Sequence, residues 1–269
     1  MAGRLRYLEA PSRRTAGRPG PDPEGTLVLI HAFPLNARMW EPQLVLADAG
    51  WRVIAPQLRG FDGGVADPPV QSLDDYAGDI VDLLDALHVD QAVIAGLSMG
   101  GYVAFALFRL APRYFRGLVL ADTRPEADSP DALDGRRRML AVVADQGASA
   151  VADAMIPRLL GETTRRERPG TAGHVRALIE STAPEAIADA VRAMMGRQDA
   201  TPLLAAIRCP TLVLVGNEDE ITPPAVAERM NRAIAGSRLV VVPGAGHLAS
   251  LEQPELFNAA LAQFLGHQV

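Results

Sequence analysis

The chain contains no lysine, so all 26 of its lysine-type or arginine-type cations are arginines. That absence excludes a Schiff-base lysine, a lysine-anchored pyridoxal phosphate and a P-loop lysine. Cysteine is reduced to Cys209, which rules out an internal disulfide and a cysteine-rich metal site. Its position between Arg208 and Pro210, at the entrance to an apolar run, suits a small buried residue. Long apolar runs are missing too: no stretch approaches the length of a membrane span. Arginines at Arg4, Arg6, Arg13, Arg14 and Arg18 are not followed by a signal-peptide core, so a cytoplasmic protein without a membrane partner is expected. No block of one charge sign stands out either. The net charge of −6 is spread along the chain, and Arg136, Arg137 and Arg138 read as a solvated helix face, so no nucleic-acid partner is expected.

What is present is a chain of 269 residues, 48% apolar, enough for one large α/β domain or a core carrying an insertion. Residues 11–25, rich in Pro, Gly and Arg, read as a loop after a short strand at 5–10. Strands are then expected at 26–30, 51–55, 92–95 and 117–121, with helices at 43–49, 72–88 and 102–110 between or after them. Ser72 and Asp75 give the second of these helices a capping-box start. From 123 to 201 only helices are expected, among them 131–145, 148–160, 174–181 and 184–195. Alternation resumes with strands at 211–215 and 239–242 and helices at 224–234 and 254–265. This pattern predicts an α/β fold, a mostly parallel sheet flanked by helices, in which residues 1–122 and 202–269 form the core and 123–201 form an inserted all-helical cap over the sheet's carboxyl edge.

The densest chemical signal is Gly96-Leu97-Ser98-Met99-Gly100-Gly101, a serine between small residues at a strand-to-helix junction. Such a turn strains the backbone at the serine and exposes its hydroxyl beside a helix N-terminus, although an ordinary N-cap serine would leave the same pentapeptide. A base and an acid downstream decide between the two. Of five histidines, His88 ends a helix, His267 lies in the tail, His174 lies among the inserted helices, and His31 closes a strand. His247 sits on the glycine-rich loop 243–247 directly after the last strand and is the expected base. Asp219 follows the strand at 211–215 and is the expected acid; Asp122, also just past a strand, is its rival, while Glu218 and Glu220 read as solvated loop charges. Backbone N–H groups of Met99, after the serine, and of Phe33, in the loop after the first strong strand, would form the oxyanion hole.

With the order Ser98, Asp219, His247 on three separate loops, the chain resembles the α/β-hydrolase superfamily over nearly all of its length, from Thr26 to Leu265. The resemblance is carried by His31-Ala32-Phe33-Pro34 with Met39-Trp40, by Leu58-Arg59-Gly60-Phe61, by the serine turn, by Cys209-Pro210-Thr211 leading to Asp219, and by the segment from Gly244 to Glu252. The chain departs from the family's pattern at Ala32, where glycine is frequent, and at Gln57, where aspartate is usual. Within the superfamily it is similar to small esterases, enol-lactonases and cofactor-free perhydrolases with a helical cap. The resemblance implies a serine hydrolase for a small carboxylic ester, lactone or thioester, with no cofactor and no metal. A carbon–carbon bond hydrolase or lyase on the same triad, and a ligand receptor of the same fold, remain as other outcomes. Candidate substrate contacts are Met139, Met155 and Met195 from the cap, for most of which helical spacing favours core packing, and Arg124, which fits a substrate carboxylate or, at least as well, a surface or hinge salt bridge.

Overall fold

The computed structural model describes residues 5–12 and 24–267; most of the expected loop at 11–25 lies outside them, as does the His267 side chain. Seven strands form one sheet in the order β1-β3-β2-β4-β5-β6-β7. They are β1 (Tyr7–Ala10), β2 (Gly25–Ile30), β3 (Trp51–Pro56), β4 (Ala92–Leu97), β5 (Phe115–Ala121), β6 (Thr211–Gly216) and β7 (Arg238–Val242). Only β1 runs antiparallel, paired to β3 with Tyr7 opposite Pro56. All other neighbours are parallel. Helices cover both faces of such a sheet, and so β4 and β6, with no polar side chain facing water, are buried at every position.

From β2 onward each crossover is helical. Helix α1 (Leu73–Ala86) follows β3 and starts with the expected capping box, in which Asp75 accepts from the Ser72 N–H at 3.0 Å. Helix α2 (Met99–Leu110) follows β4 and packs on α1. Between β5 and β6 the chain forms α3 (Pro130–Leu159), α4 (Glu162–Glu167), α5 (Gly170–Glu180), α6 (Pro184–Met195) and α7 (Thr201–Leu204), with no strand among the described residues. After β6 come α8 (Pro224–Ala233), then β7, α9 (Ala249–Glu252) and α10 (Pro254–His267).

Three local features differ from expectation. The helix expected at 43–49 is a 3-10 helix over Ala37–Ala49, begun at Asn36, whose side chain accepts from the Arg38 N–H at 3.0 Å. Its early start is masked in sequence by Pro42, which lies inside it. The two helices expected at 131–145 and 148–160 run together as α3, but Gly147 interrupts it with φ of 73° and non-helical ψ. Contrary to expectation, α3 is also long and apolar enough to cross a membrane by length and composition, with mean hydropathy of 1.3 over 18 residues. The bend at Gly147 divides it into two shorter helices, and Val143, Val151, Ala152, Ile156 and Leu159 are buried as it packs on α5 and α6.

The core is continuous from the sheet into the inserted helices. Trp40 and Phe257, both nearly inaccessible, pack with ring centroids 6.0 Å apart beneath the sheet, while Val151, Val175, Ile179 and Ile187 carry the apolar cluster into α3, α5 and α6. Each such side chain contributes about 1.5–3 kcal/mol relative to exposure. The loops that matter chemically all leave the carboxyl ends of parallel strands: Ser98 after β4, Asp219 after β6, and His247 after β7. That edge is where an open parallel sheet collects ligand-binding groups.

Candidate active site

Ser98 lies at the N-cap of α2 with φ of 54° and ψ of −113°, a left-handed backbone held by a non-glycine residue. Close backbone approach on both sides makes the turn. A Cβ on Gly96 would fall 2.2 Å from the Gly100 carbonyl oxygen, and one on Gly100 would fall 2.1 Å from that of Ile30. The second contact presses the serine turn against the end of β2. The loop carrying Phe33 begins there, and Met99, first in α2, has an N–H outside the helix's own ladder.

From the serine, hydrogen bonds run inward without a break. Ser98 Oγ lies 2.8 Å from His247 Nε2, and His247 Nδ1 lies 2.8 Å from Asp219 Oδ2. With Nδ1–H donating to the carboxylate, Nε2 is free to accept the serine proton. Asp219 Oδ1 accepts from the N–H groups of Ile221 and Thr222 at 2.8 and 2.9 Å, and Oδ2 accepts from the Thr222 hydroxyl at 2.5 Å. Burial alone would raise the Asp219 pKa, but the positive charge His247 can carry and the bonds from His247 and Thr222 outweigh it and bring the pKa down to about 2. The carboxylate therefore stays ionised at neutral pH. His247 and Asp219 are buried, whereas Ser98 is half-buried and reachable.

The other candidates separate clearly. His31 is fully buried; its Nδ1 lies 3.1 Å from the Ala32 carbonyl and its Nε2 accepts from the Leu58 N–H at 3.2 Å, so it braces the loop after β2 against the turn after β3. Burial lowers its pKa to about 4, which keeps it neutral. His174 is exposed in α5, and His88 is exposed beyond α1. Asp122, the rival acid, accepts from the N–H groups of Gly216 at 2.8 Å and Ala249 at 3.4 Å instead of bonding to a histidine. Burial first, then the Asp219 charge, raise its pKa well above the usual carboxylate range. The two neighbouring carboxyls are thus shifted in opposite directions, Asp219 down and Asp122 up.

Glu220 is exposed as expected, but Glu218 is a correction. It is half-buried and accepts from the Thr163 N–H at 2.9 Å and the Thr163 hydroxyl at 2.5 Å, tying the acid loop to the helical insertion. Arg136 also departs from a simple solvated face, since it pairs with Asp128 at 3.1 Å, while Arg138 is exposed. Arg124 donates to the Ile221 carbonyl within the acid loop. Met139, Met155 and Met195 are half-buried and pack against the main apolar cluster. Two residues outside the expected set emerge at the site: Thr222, bonded to Asp219, and Glu252, a buried acid on α9. The sequence signal for Glu252 was an acid closing the mostly apolar stretch Leu248 to Leu251 after His247. No group of three or more candidate metal ligands occurs among the described residues.

Residues 27–260 match the family described as Alpha/beta hydrolase family. The chain belongs to that family. A thermophilic esterase from Thermogutta terrifontis, solved with malate bound, is 40% identical, with a TM-score of 0.89 over 97% of this chain and 93% of the esterase. The enol-lactonase from Burkholderia xenovorans is 26% identical with a TM-score of 0.85, over 98% of this chain and 96% of its own. In sequence, 3-oxoadipate enol-lactonase 1 from Acinetobacter baylyi is 27% identical over 91% of this chain and 90% of its own length. Together with the unbroken serine, histidine and aspartate geometry, these similarities make this alpha/beta hydrolase a serine hydrolase.

Proposed function

We propose that this hydrolase cleaves a small carboxylic ester or lactone through an acyl-enzyme on Ser98. The observation that carries the reading is the continuous path Ser98 to His247 to Asp219, with both links at 2.8 Å. In the first half-reaction Ser98 Oγ attacks the carbonyl carbon as its proton passes to His247 Nε2. Asp219 holds the imidazole in orientation and stabilises the positive charge it acquires. The carbonyl oxygen, now negative, accepts from the N–H groups of Met99 and Phe33, each worth about 10²–10³ in rate. His247 then returns the proton to the departing alkoxide; in a lactone that alkoxide stays tethered to the acyl group. In the second half-reaction His247 takes a proton from water, the resulting hydroxide attacks the acyl-enzyme, and Ser98 leaves with the proton back on Oγ.

Residues 123–201 act as a cap over this centre in our reading. Met139, Met155 and Met195 would give the acyl pocket an uncharged wall. Arg124, already engaged by the Ile221 carbonyl, serves the acid loop in place of a substrate carboxylate. The esterase and enol-lactonase relatives support the choice of ester and lactone. A panel of p-nitrophenyl esters of increasing acyl length, run beside simple lactones, tests it. Turnover of short esters or lactones, lost in Ser98→Ala, is expected. Turnover confined to carbon–carbon bond cleavage would instead assign the triad to a lyase or a carbon–carbon hydrolase.

A further inference from the structure

Glu252 is inaccessible to solvent and takes no part in the hydrogen-bond path described above. Its carboxylate is divided between two parts of the fold. Oε1 accepts from the N–H of Gly246 at 2.9 Å and from that of Leu248 at 3.1 Å, the residues on either side of His247. Oε2 accepts from the N–H of Gly161 at 2.8 Å, where α3 hands over to α4 in the helical insertion. The same two segments meet again, since the His247 N–H donates to the Leu159 carbonyl at 3.0 Å. They also touch without room for a side chain: a Cβ on Gly246 would lie 2.3 Å from the Gly161 nitrogen.

A buried carboxylate that only filled space would be an expensive choice for this position, because desolvating the charge must be offset by bonds it makes. All three of those bonds are to backbone N–H groups that fix the path of the histidine loop or of the segment lying on it. We infer that Glu252 is a positioning residue for His247, and that it makes the placement of the base depend on the junction between α3 and α4. The inference rests on the assignment of His247 as the base. Its consequence is that the insertion is fastened at residues 159–163 to the catalytic loops, through Glu252 on one side and Glu218 on the other.

The two oxygens allow the roles to be separated by substitution. In Glu252→Gln the amide carbonyl can serve the two N–H groups beside His247, leaving its NH2 against Gly161, so the histidine clamp survives and the tie to the insertion is lost. Glu252→Ala removes both, and Glu252→Asp is too short to span them. Each variant is assayed on p-nitrophenyl acetate, whose small acyl group makes little demand on a cap, with active sites counted by stoichiometric labelling with a serine-directed phosphonate. In Glu252→Ala, kcat per labelled site is expected to fall about 100-fold with KM within about threefold, as a displaced base predicts. Glu252→Gln is expected to recover at least about tenfold of that loss. A kcat per labelled site within about twofold of the parent in Glu252→Ala, with loss only in the number of sites, overturns the inference. If Glu252→Ala yields no folded protein, Glu252→Asp decides on the same criterion. Should Ser98→Ala retain turnover, the triad assignment fails; should Ser98→Ala be inactive and the Glu252 variants unaffected, only the positioning role fails.

Discussion

Asp122→Asn isolates a buried carboxyl that sits beside the triad without joining it. Asp122 is fully buried at the end of β5, and burial, followed by the charge of Asp219, raises its pKa well above the ordinary value. The unfolded chain releases that proton near pH 3.9, whereas the folded chain releases it at higher pH. Over the interval between the two pKa values the folded state holds one more proton, so this group's contribution to stability is full below about pH 3.9 and declines as pH rises, by about 1.4 kcal/mol per pH unit. Asparagine has nearly the same shape, keeps an acceptor for the Gly216 N–H, and does not titrate. The variant therefore lacks that slope. His31 acts in the opposite direction, since its folded pKa of about 4 lies below its unfolded value and its contribution is lost as pH falls, but it is present in both proteins and cancels in the difference. Urea unfolding of both proteins at a series of pH values upward from about 4.5 should show the variant gaining stability relative to the parent as pH rises, by about 1.4 kcal/mol for each pH unit below the folded-state pKa of Asp122. Parallel stability curves would refute the argument that folding raises the Asp122 pKa.

Two further outcomes follow from packing. Gly100→Ala would drive a Cβ to 2.1 Å from the Ile30 carbonyl oxygen, backbone against backbone, so a loss of about 3 kcal/mol or more is expected in thermal or urea unfolding, and a loss under about 1 kcal/mol would contradict the tight turn. Asp128→Ala removes the carboxylate partner of Arg197, which is 4% exposed, bonded to Asp128 at 2.7 Å, held also by the Glu126 and Met194 carbonyls and stacked 4.3 Å over the Tyr102 ring of α2, and it removes the partner of the more exposed Arg136 as well. A cost of about 3–5 kcal/mol is expected by urea unfolding, with partial recovery in Asp128→Ala combined with Arg197→Met; no recovery would indicate that the stranded charge is not the cause.

The strands were legible because each parallel strand is a short apolar run ended by a polar, glycine or proline residue, and because Ser98, Asp219 and His247 all follow such runs. The serine turn was legible for the same steric reason that shapes it, glycine where a Cβ would meet a carbonyl. What the sequence concealed depends on burial. Glu218 and Glu252 look like loop charges in one dimension, and only the approach of residues 159–163 from the insertion gives them partners. Asp122 and Asp219 occupy equivalent places after neighbouring strands, so pattern alone left them rivals; the hydrogen bond from His247 and the opposite pKa directions distinguish them. The 3-10 helix at Ala37–Ala49 was hidden by Pro42, and the membrane-like length of α3 by Gly147, whose bend divides a continuous assignment into two.

The central claim is that Ser98 is an acylating nucleophile, and the direct measurement is the mass of the protein after reaction with a serine-directed phosphonate. The account predicts one adduct per chain, mapped to the peptide containing Ser98, absent in Ser98→Ala, and accompanied by loss of ester turnover in the same proportion. An unlabelled Ser98 in folded protein, or full turnover by Ser98→Ala, would contradict it.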